Sequence, residues 1–141
     1  MYDNILLPTD GSESMAPVID HAIELATVHG ASVHALYVAN TASLSDLPME
    51  SSWENVSDAL RKQGKAAVEA VEQRAGEVPV ESAVLDGSPS GEIIEYSEEN
   101  DIDVIVMGTH GRSGVDRLLL GSVAERVLRS ASVPVLTVSL D

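Results

Sequence analysis

The chain has 141 residues, with 23 Asp and Glu against 8 Lys and Arg, a net charge of −15. That length fits one domain, and a hydrophobic fraction of 44% with no Cys excludes a disordered chain, a disulfide framework, thiol catalysis and Cys-ligated zinc. The acidic balance repels nucleic acid and anionic lipid at long range, and no Phe, one Trp and three Tyr leave few platforms for base stacking.

The first apolar run, Ile5-Leu6-Leu7, reads as a short strand closed by Pro8-Thr9-Asp10-Gly11-Ser12. Met1-Tyr2-Asp3-Asn4 has no basic region and the run stops at Pro8, so no signal peptide is expected. No apolar run approaches the ~18 residues of a membrane span, and a cytoplasmic location is expected. The acidic composition fits a salt-rich, halophile-like cytoplasm, where screening tolerates self-repulsion; an ordinary acidic cytosolic protein is the alternative.

Apolar positions 15, 18, 19, 22, 23 and 26 then mark one face of a helix. Ser12 or Ser14 is expected to cap its start and Gly30 to end it. Ser32 to Val38 reads as the second strand. Residues 39–52 read as a polar connection, long for a compact domain. A second helix follows, with apolar or small positions from Trp53 to Ala75. Trp53 is expected to be a packing anchor.

Pro79 to Leu85 is the third strand, and Asp86-Gly87-Ser88-Pro89 a tight turn into a short helix that ends near Asn100. The fourth strand runs from Asp103 to Met107. Its run Val104-Ile105-Val106-Met107 lacks alternation, as expected of a central strand buried on both faces. A last helix opens at Gly121-Ser122 and uses Val123, Val127, Leu128 and Ala131. Val133 to Val138 is the last strand, and Pro134, with no N–H for a ladder, places it at a sheet edge.

Five strands alternating with four helices predict a single α/β domain over residues 1–141: an open, five-stranded parallel sheet with helices on both faces. The expected order is 3-2-1-4-5, which puts the switch point between strands 1 and 4. Ligands bind outside the strand C-termini at such a point. Two loops are thereby singled out, Pro8–Ser12 and Gly108–Gly114.

The second of these loops holds the pattern G-x2-G-x9-G-S in Gly108, Gly111, Gly121 and Ser122. It arises by chance in roughly one chain of this length per hundred, so it outweighs a bare Gly-x-x-Gly. Glycines let a backbone approach a ligand closely. A helix N-terminus presents unpaired N–H groups and about half a positive charge, which suits a phosphate. Arg112 can pair with a phosphate, whereas His110 reads as a loop residue and not a catalyst. Asp10, after the first strand, can accept hydrogen bonds from ribose hydroxyls. Charge is unevenly spread to match. Residues 108–130 hold Arg112, Arg117, Arg126 and Arg129 against Asp116 and Glu125, a local basic excess in an acidic chain.

On these residues the chain resembles the universal stress protein family. The likeness runs through Ile5–Ser12, Val104–Arg112, Leu120–Glu125 and Ser132–Leu136. The glycine spacing is similar to that of the family's ATP-binding branch. The resemblance implies that Gly108, Gly111, Gly121 and Ser122 hold the phosphates of ATP, and Val123, next in the last helix, is expected among the ATP-binding residues. It also implies that Asp10 meets the ribose, that Pro8 and Thr9 line the adenine pocket, and that Val38 meets the adenine edge through its backbone. A divalent cation, Mg2+ or Mn2+, would then bind through the phosphates.

The expected role is an ATP-binding stress or signalling module. No Walker A sequence is present, and Lys62 and Lys65, the only lysines, fall in the second helix. Any ATPase rate is therefore expected to be slow. Two alternatives remain: a slow nucleotide phosphohydrolase, and a non-catalytic dimeric interaction module. Homodimerisation is expected through the last strand, Val135–Val138. A phosphoacceptor receiver domain is excluded, because Pro8-Thr9-Asp10 lacks the acidic pair and no Lys follows the fifth strand.

Overall fold

A computed structural model describes residues 1–41, 50–109 and 121–139 of the protein, with backbone only for 50–55. Its strands are β1 (Asn4–Pro8), β2 (Ser32–Ala39), β3 (Val80–Asp86), β4 (Val104–Gly108) and β5 (Val135–Val138). They form one sheet in the order β3-β2-β1-β4-β5, and every neighbouring pair is parallel. The helices are α1 (Ala16–His29), α2 (Glu50–Arg74), α3 (Pro89–Glu99) and α4 (Ser122–Ser130), with a 3-10 turn at Glu13–Met15 before α1. Fold class and strand order are those expected from the sequence. Among the described residues no helix is long and apolar enough to cross a membrane.

Side chains alternate across each strand, so the sheet sorts its residues between two cores. Ile5, Leu7, Val33, Ala35, Tyr37, Val104 and Val106 face a core shared with α1 and α2. Leu6, Leu36, Ile105 and Met107 face a second core with Ile93 of α3 and Ala124 and Val127 of α4. The unbroken apolar run of β4 fits this arrangement, since residues 104–107 are all buried. The edge strands β3 and β5 are partly exposed. Pro134 precedes β5, and its carbonyl accepts a bond from the Ile105 N–H at 3.0 Å.

Several sequence-based boundaries shift. Neither Ser12 nor Ser14 caps α1: the 3-10 turn intervenes, Met15 is the N-cap, and the two hydroxyls bond each other at 2.9 Å. The long connection is shorter than 39–52, because Ala39 completes β2 and α2 begins at Glu50. β3 extends to Asp86, β4 starts at Val104, and β5 starts only at Val135. The side chain of Trp53 lies outside the described residues.

Helix α2 packs onto the sheet at a glycine. A Cβ on Gly64 would stand 2.6 Å from Tyr37 Cδ1 and 2.8 Å from Val84 Cγ1. The missing side chain therefore sets how closely α2 approaches β2 and β3. Gly11, in the loop after β1, has φ +80°, and a Cβ there would meet Ala67 Cβ at 3.1 Å. That loop is thus seated against α2, and its conformation favours glycine.

Candidate functional site

Right-handed crossovers carry the chain away from the switch point to opposite faces of the sheet, so a crevice opens at the C-terminal ends of β1, β2 and β4. A cavity of about 340 Å³ occupies it. Pro8, Thr9 and Asp10 line it from the loop after β1, Leu36, Tyr37, Val38 and Asn40 from the end of β2, and Met107, Gly108 and Thr109 from the end of β4. Gly121, Val123 and Ala124 enter from the start of α4, Pro89 and Ile93 from α3, and Met15 and Leu60 from the other face.

The β1 loop is held locally. Thr9 Oγ1 accepts the Gly11 N–H at 3.1 Å, and Asp10 Oδ1 accepts the Ser12 N–H at 2.9 Å. Asp10 therefore does what a turn Asp does, yet it remains exposed and lines the cavity. Among the described lining residues it alone is charged at neutral pH. Burial, and then the charge of Asp10, pushes the Tyr37 hydroxyl above the usual tyrosine range.

The end of β2 presents backbone to the crevice. The Leu36 carbonyl accepts the Thr9 N–H at 2.9 Å, while the Ala39 carbonyl accepts the Gly87 N–H at 3.0 Å on the opposite edge. Backbone groups alternate in direction along a strand. Val38 therefore turns its N–H and C=O to the β1 side, where the β1 ladder has already ended at Pro8–Leu36. A donor and an acceptor from one residue thus face the cavity.

At the start of α4, Gly121 is the N-cap and no side chain caps the helix. The first intrahelical bond runs from the Glu125 N–H to the Gly121 carbonyl at 2.9 Å. The N–H groups of Ser122, Val123 and Ala124 precede it and have no partner within the helix. Gly121 has φ −57° and ψ 149°, a conformation open to any residue. This glycine is not required by its backbone angles; it lines the cavity at the mouth of the helix. Its partial positive charge faces the cavity.

Seven of the ten residues singled out by sequence line this cavity: Pro8, Thr9, Asp10, Val38, Gly108, Gly121 and Val123. Ser122 is the exposed first residue of α4, beside the cavity wall. Gly111 and Arg112 lie outside the described residues, as do His110 and Gly114. Lys62 and Lys65 are exposed on α2 and do not line the cavity.

Sequence reasoning missed the wall made by α3. It read Asp86–Pro89 only as a tight turn into a short helix. Asp86 indeed pairs outward with Arg61 at 2.9 Å. The crossover from β3 to β4, however, must pass over β2, and this brings Pro89 and Ile93 to the cavity. The strand order and the handedness rule together contained that signal. Tyr37, Met15 and Leu60 had no such signal, because their periodicity marks them only as core. Among the described residues no group of three or more His, Asp or Glu could hold a metal ion.

A family model described as the universal stress protein family matches residues 1–139. The universal stress protein MJ0531 of Methanocaldococcus jannaschii is 43% identical over 140 residues, covering 98% of this chain and 82% of that protein. Among solved structures, that of MJ0577 superposes with a TM-score of 0.84 at 29% identity, covering 99% of this chain and 96% of that one. A universal stress protein in complex with cAMP has a TM-score of 0.77 at 25% identity, with 99% of both chains covered.

Proposed function

Since the chain belongs to the universal stress protein family, we propose that it is an ATP-binding member, a stress-response or signalling module that hydrolyses ATP slowly or not at all. One observation carries this reading: the uncapped start of α4, with Gly121 as its N-cap, shares a cavity with Asp10 and with the end of β2 at Val38. Each meets a different part of a nucleotide. The N–H and C=O of Val38 pair with the adenine edge, beside Pro8 and Thr9. The Asp10 carboxylate accepts the ribose hydroxyls. The phosphates rest on the N–H groups of α4, with Gly108, Gly111, Arg112, Ser122 and Val123 completing the cradle. A divalent cation, Mg2+ or Mn2+, would be held through the phosphates and would offset the protein's own negative field.

Slow turnover follows from what the cavity offers. Asp10 is its only charged group among the described residues, and it is committed to the ribose. Neither lysine of the chain reaches the cavity to clamp a leaving phosphate. Dimerisation belongs to the same proposal, through the edge strand β5, whose Leu136 is 37% exposed. Light scattering of Leu136→Glu tests it: a monomer is expected, and an unchanged dimer would exclude this interface.

The binding test is calorimetry with ATP, ADP, AMP and cAMP, alongside native mass spectrometry of the purified protein. Gly121→Val is expected to abolish binding by filling the mouth of α4, and Gly121→Ala to weaken it. Asp10→Ala is expected to reduce affinity with unchanged circular dichroism. Wild-type affinity in both Gly121→Val and Asp10→Ala overturns the site.

A further inference from the structure

Among the described residues, the nucleotide reading leaves the buried imidazole of His34 unused. His34 is 4% exposed, on the face of β2 that packs against α3. Its Nδ1 stands 2.8 Å from the Tyr96 hydroxyl, and the two rings meet edge to face. Its Nε2 stands 3.3 Å from Asn4 Oδ1 and 3.2 Å from Glu81 Oε2. Two acceptors at Nε2 place the proton of the neutral ring there, so Nδ1 accepts from the Tyr96 hydroxyl. Asn4 is fixed in turn: its side-chain amide donates to the Asp101 carbonyl at 3.3 Å and its backbone N–H to Asp103 Oδ2 at 2.9 Å. The imidazole therefore ties β1, β2, β3 and α3 together.

The acidic groups of the elements around it are Asp3 before β1, Glu81 and Asp86 on β3, Asp101 and Asp103 before β4, and Glu92, Glu95, Glu98 and Glu99 on α3. Among the described residues, only Glu81 comes within ion-pair distance of the ring, and its side chain is 71% exposed. Asp103 is occupied by the N–H groups of Asp3 and Asn4. Burial lowers the proton affinity of His34 below the ordinary histidine range, and the Glu81 charge offsets this in part.

The ring is mechanically close to the cavity. Tyr96 lies one turn beyond Ile93 on α3, and Ile93 and Pro89 form the cavity's α3 wall. On β2, Leu36 and Val38 follow His34 at two-residue steps on the same face, and both line the cavity. We propose that His34 is a pH-sensitive latch between β2 and α3. Neutral, it holds Tyr96 and with it the α3 wall; protonated, it frees that wall and lowers nucleotide affinity. This inference rests on the nucleotide reading of the cavity.

The chemistry sets the sign. Protonation from solvent puts a second N–H on Nδ1, where the Tyr96 hydroxyl now donates. The hydroxyl must turn to accept, and its own hydrogen loses the ring as its acceptor at a half-buried position. The contact between α3 and β2 is thereby weakened as pH falls. By reciprocity, bound nucleotide lowers the proton affinity of His34.

The experiment measures ATP affinity by calorimetry from pH 8 to pH 5.5 in the wild type and in His34→Gln. The phosphates of ATP titrate in the same range, and comparing the two proteins cancels that contribution. The loss of affinity on acidification is expected to be at least about fivefold greater in the wild type. Equal losses overturn the latch. Tyr96→Phe provides a second variant: its His34 ring, followed by NMR, is expected to titrate at higher pH than in the wild type. An unmoved titration overturns the proposal. If neither protein binds nucleotide at pH 8, the functional reading fails, and amide exchange decides the latch. Faster exchange in α3 at pH 5.5 in the wild type alone supports it, and equal exchange in both proteins overturns it.

Discussion

The two faces of the sheet are built differently. Among the described residues, the α1 and α2 side joins 17 buried apolar residues, against 8 on the α3 and α4 side, so within them the first side carries more of the packing. The second side holds the buried His34, its partner Tyr96 and the uncapped start of α4. Among the described residues the difference teaches a division of labour: one face supplies most of the apolar packing, and the other sets polar groups in and beside the cavity wall.

Truncation on each face sharpens this division most. Leu7→Ala, at a fully buried position of the larger core, is expected to cost about 3–5 kcal/mol in urea unfolding. Ile93→Ala, in the smaller core, is expected to cost about 2–4 kcal/mol and to weaken nucleotide binding as well. Comparable losses of affinity per kcal/mol of stability in the two variants would break the division. Ser122→Ala tests the functional face alone. A loss of about 1.5–3 kcal/mol in ATP binding is expected if its hydroxyl meets a charged phosphate, with the urea midpoint unchanged.

Gly64→Ala probes the larger core more gently. Its Cβ would overlap Tyr37 and Val84, and overpacking costs about 1–3 kcal/mol. The gain in helix propensity returns about 1 kcal/mol, so a small net destabilisation is expected by thermal unfolding. A stabilised variant would show that α2 can retreat from the sheet.

The smallest effect is that of pH on stability through His34. Its folded-state proton affinity is lowered by burial, so the unfolded chain binds more protons just below pH 6.5. Stability from this group is complete above that pH and declines as pH falls through it. Asp20, bonded to Arg74, and Asp103, bonded to the N–H groups of Asn4 and Asp3, are shifted down. Their contributions are present above the ordinary Asp range and are lost only at more acidic pH. Thermal scans between pH 7 and 5 are therefore expected to show a decline in the wild type that His34→Gln lacks. An identical decline in both would assign it to other groups.

Much of the site was legible because its signals are local. Val104–Met107 announces a central strand by lacking alternation, and the glycine spacing singles out Gly108 and Gly121, both of which line the cavity. Pro8, Thr9 and Asp10 follow from the rule that a parallel sheet binds at its switch point. The caps at Ser12 and Ser14 were misread, because a 3-10 turn and a true cap share the same residue types. Pro89 and Ile93 escaped notice because the sequence distance from β1 hides the passage of α3 over β2.

By itself, the sequence determined the class of fold, the strand order and the loop residues that line the cavity, because hydrophobic period, glycine spacing and crossover handedness are properties of short segments. Only the tertiary structure decided which side chains from distant segments share a wall. His34 with Tyr96, Asn4 and Glu81, and Tyr37 against Gly64, are pairings between residues far apart in the chain. No local pattern encodes them, because packing across layers selects partners by shape and by the need to satisfy buried polar groups.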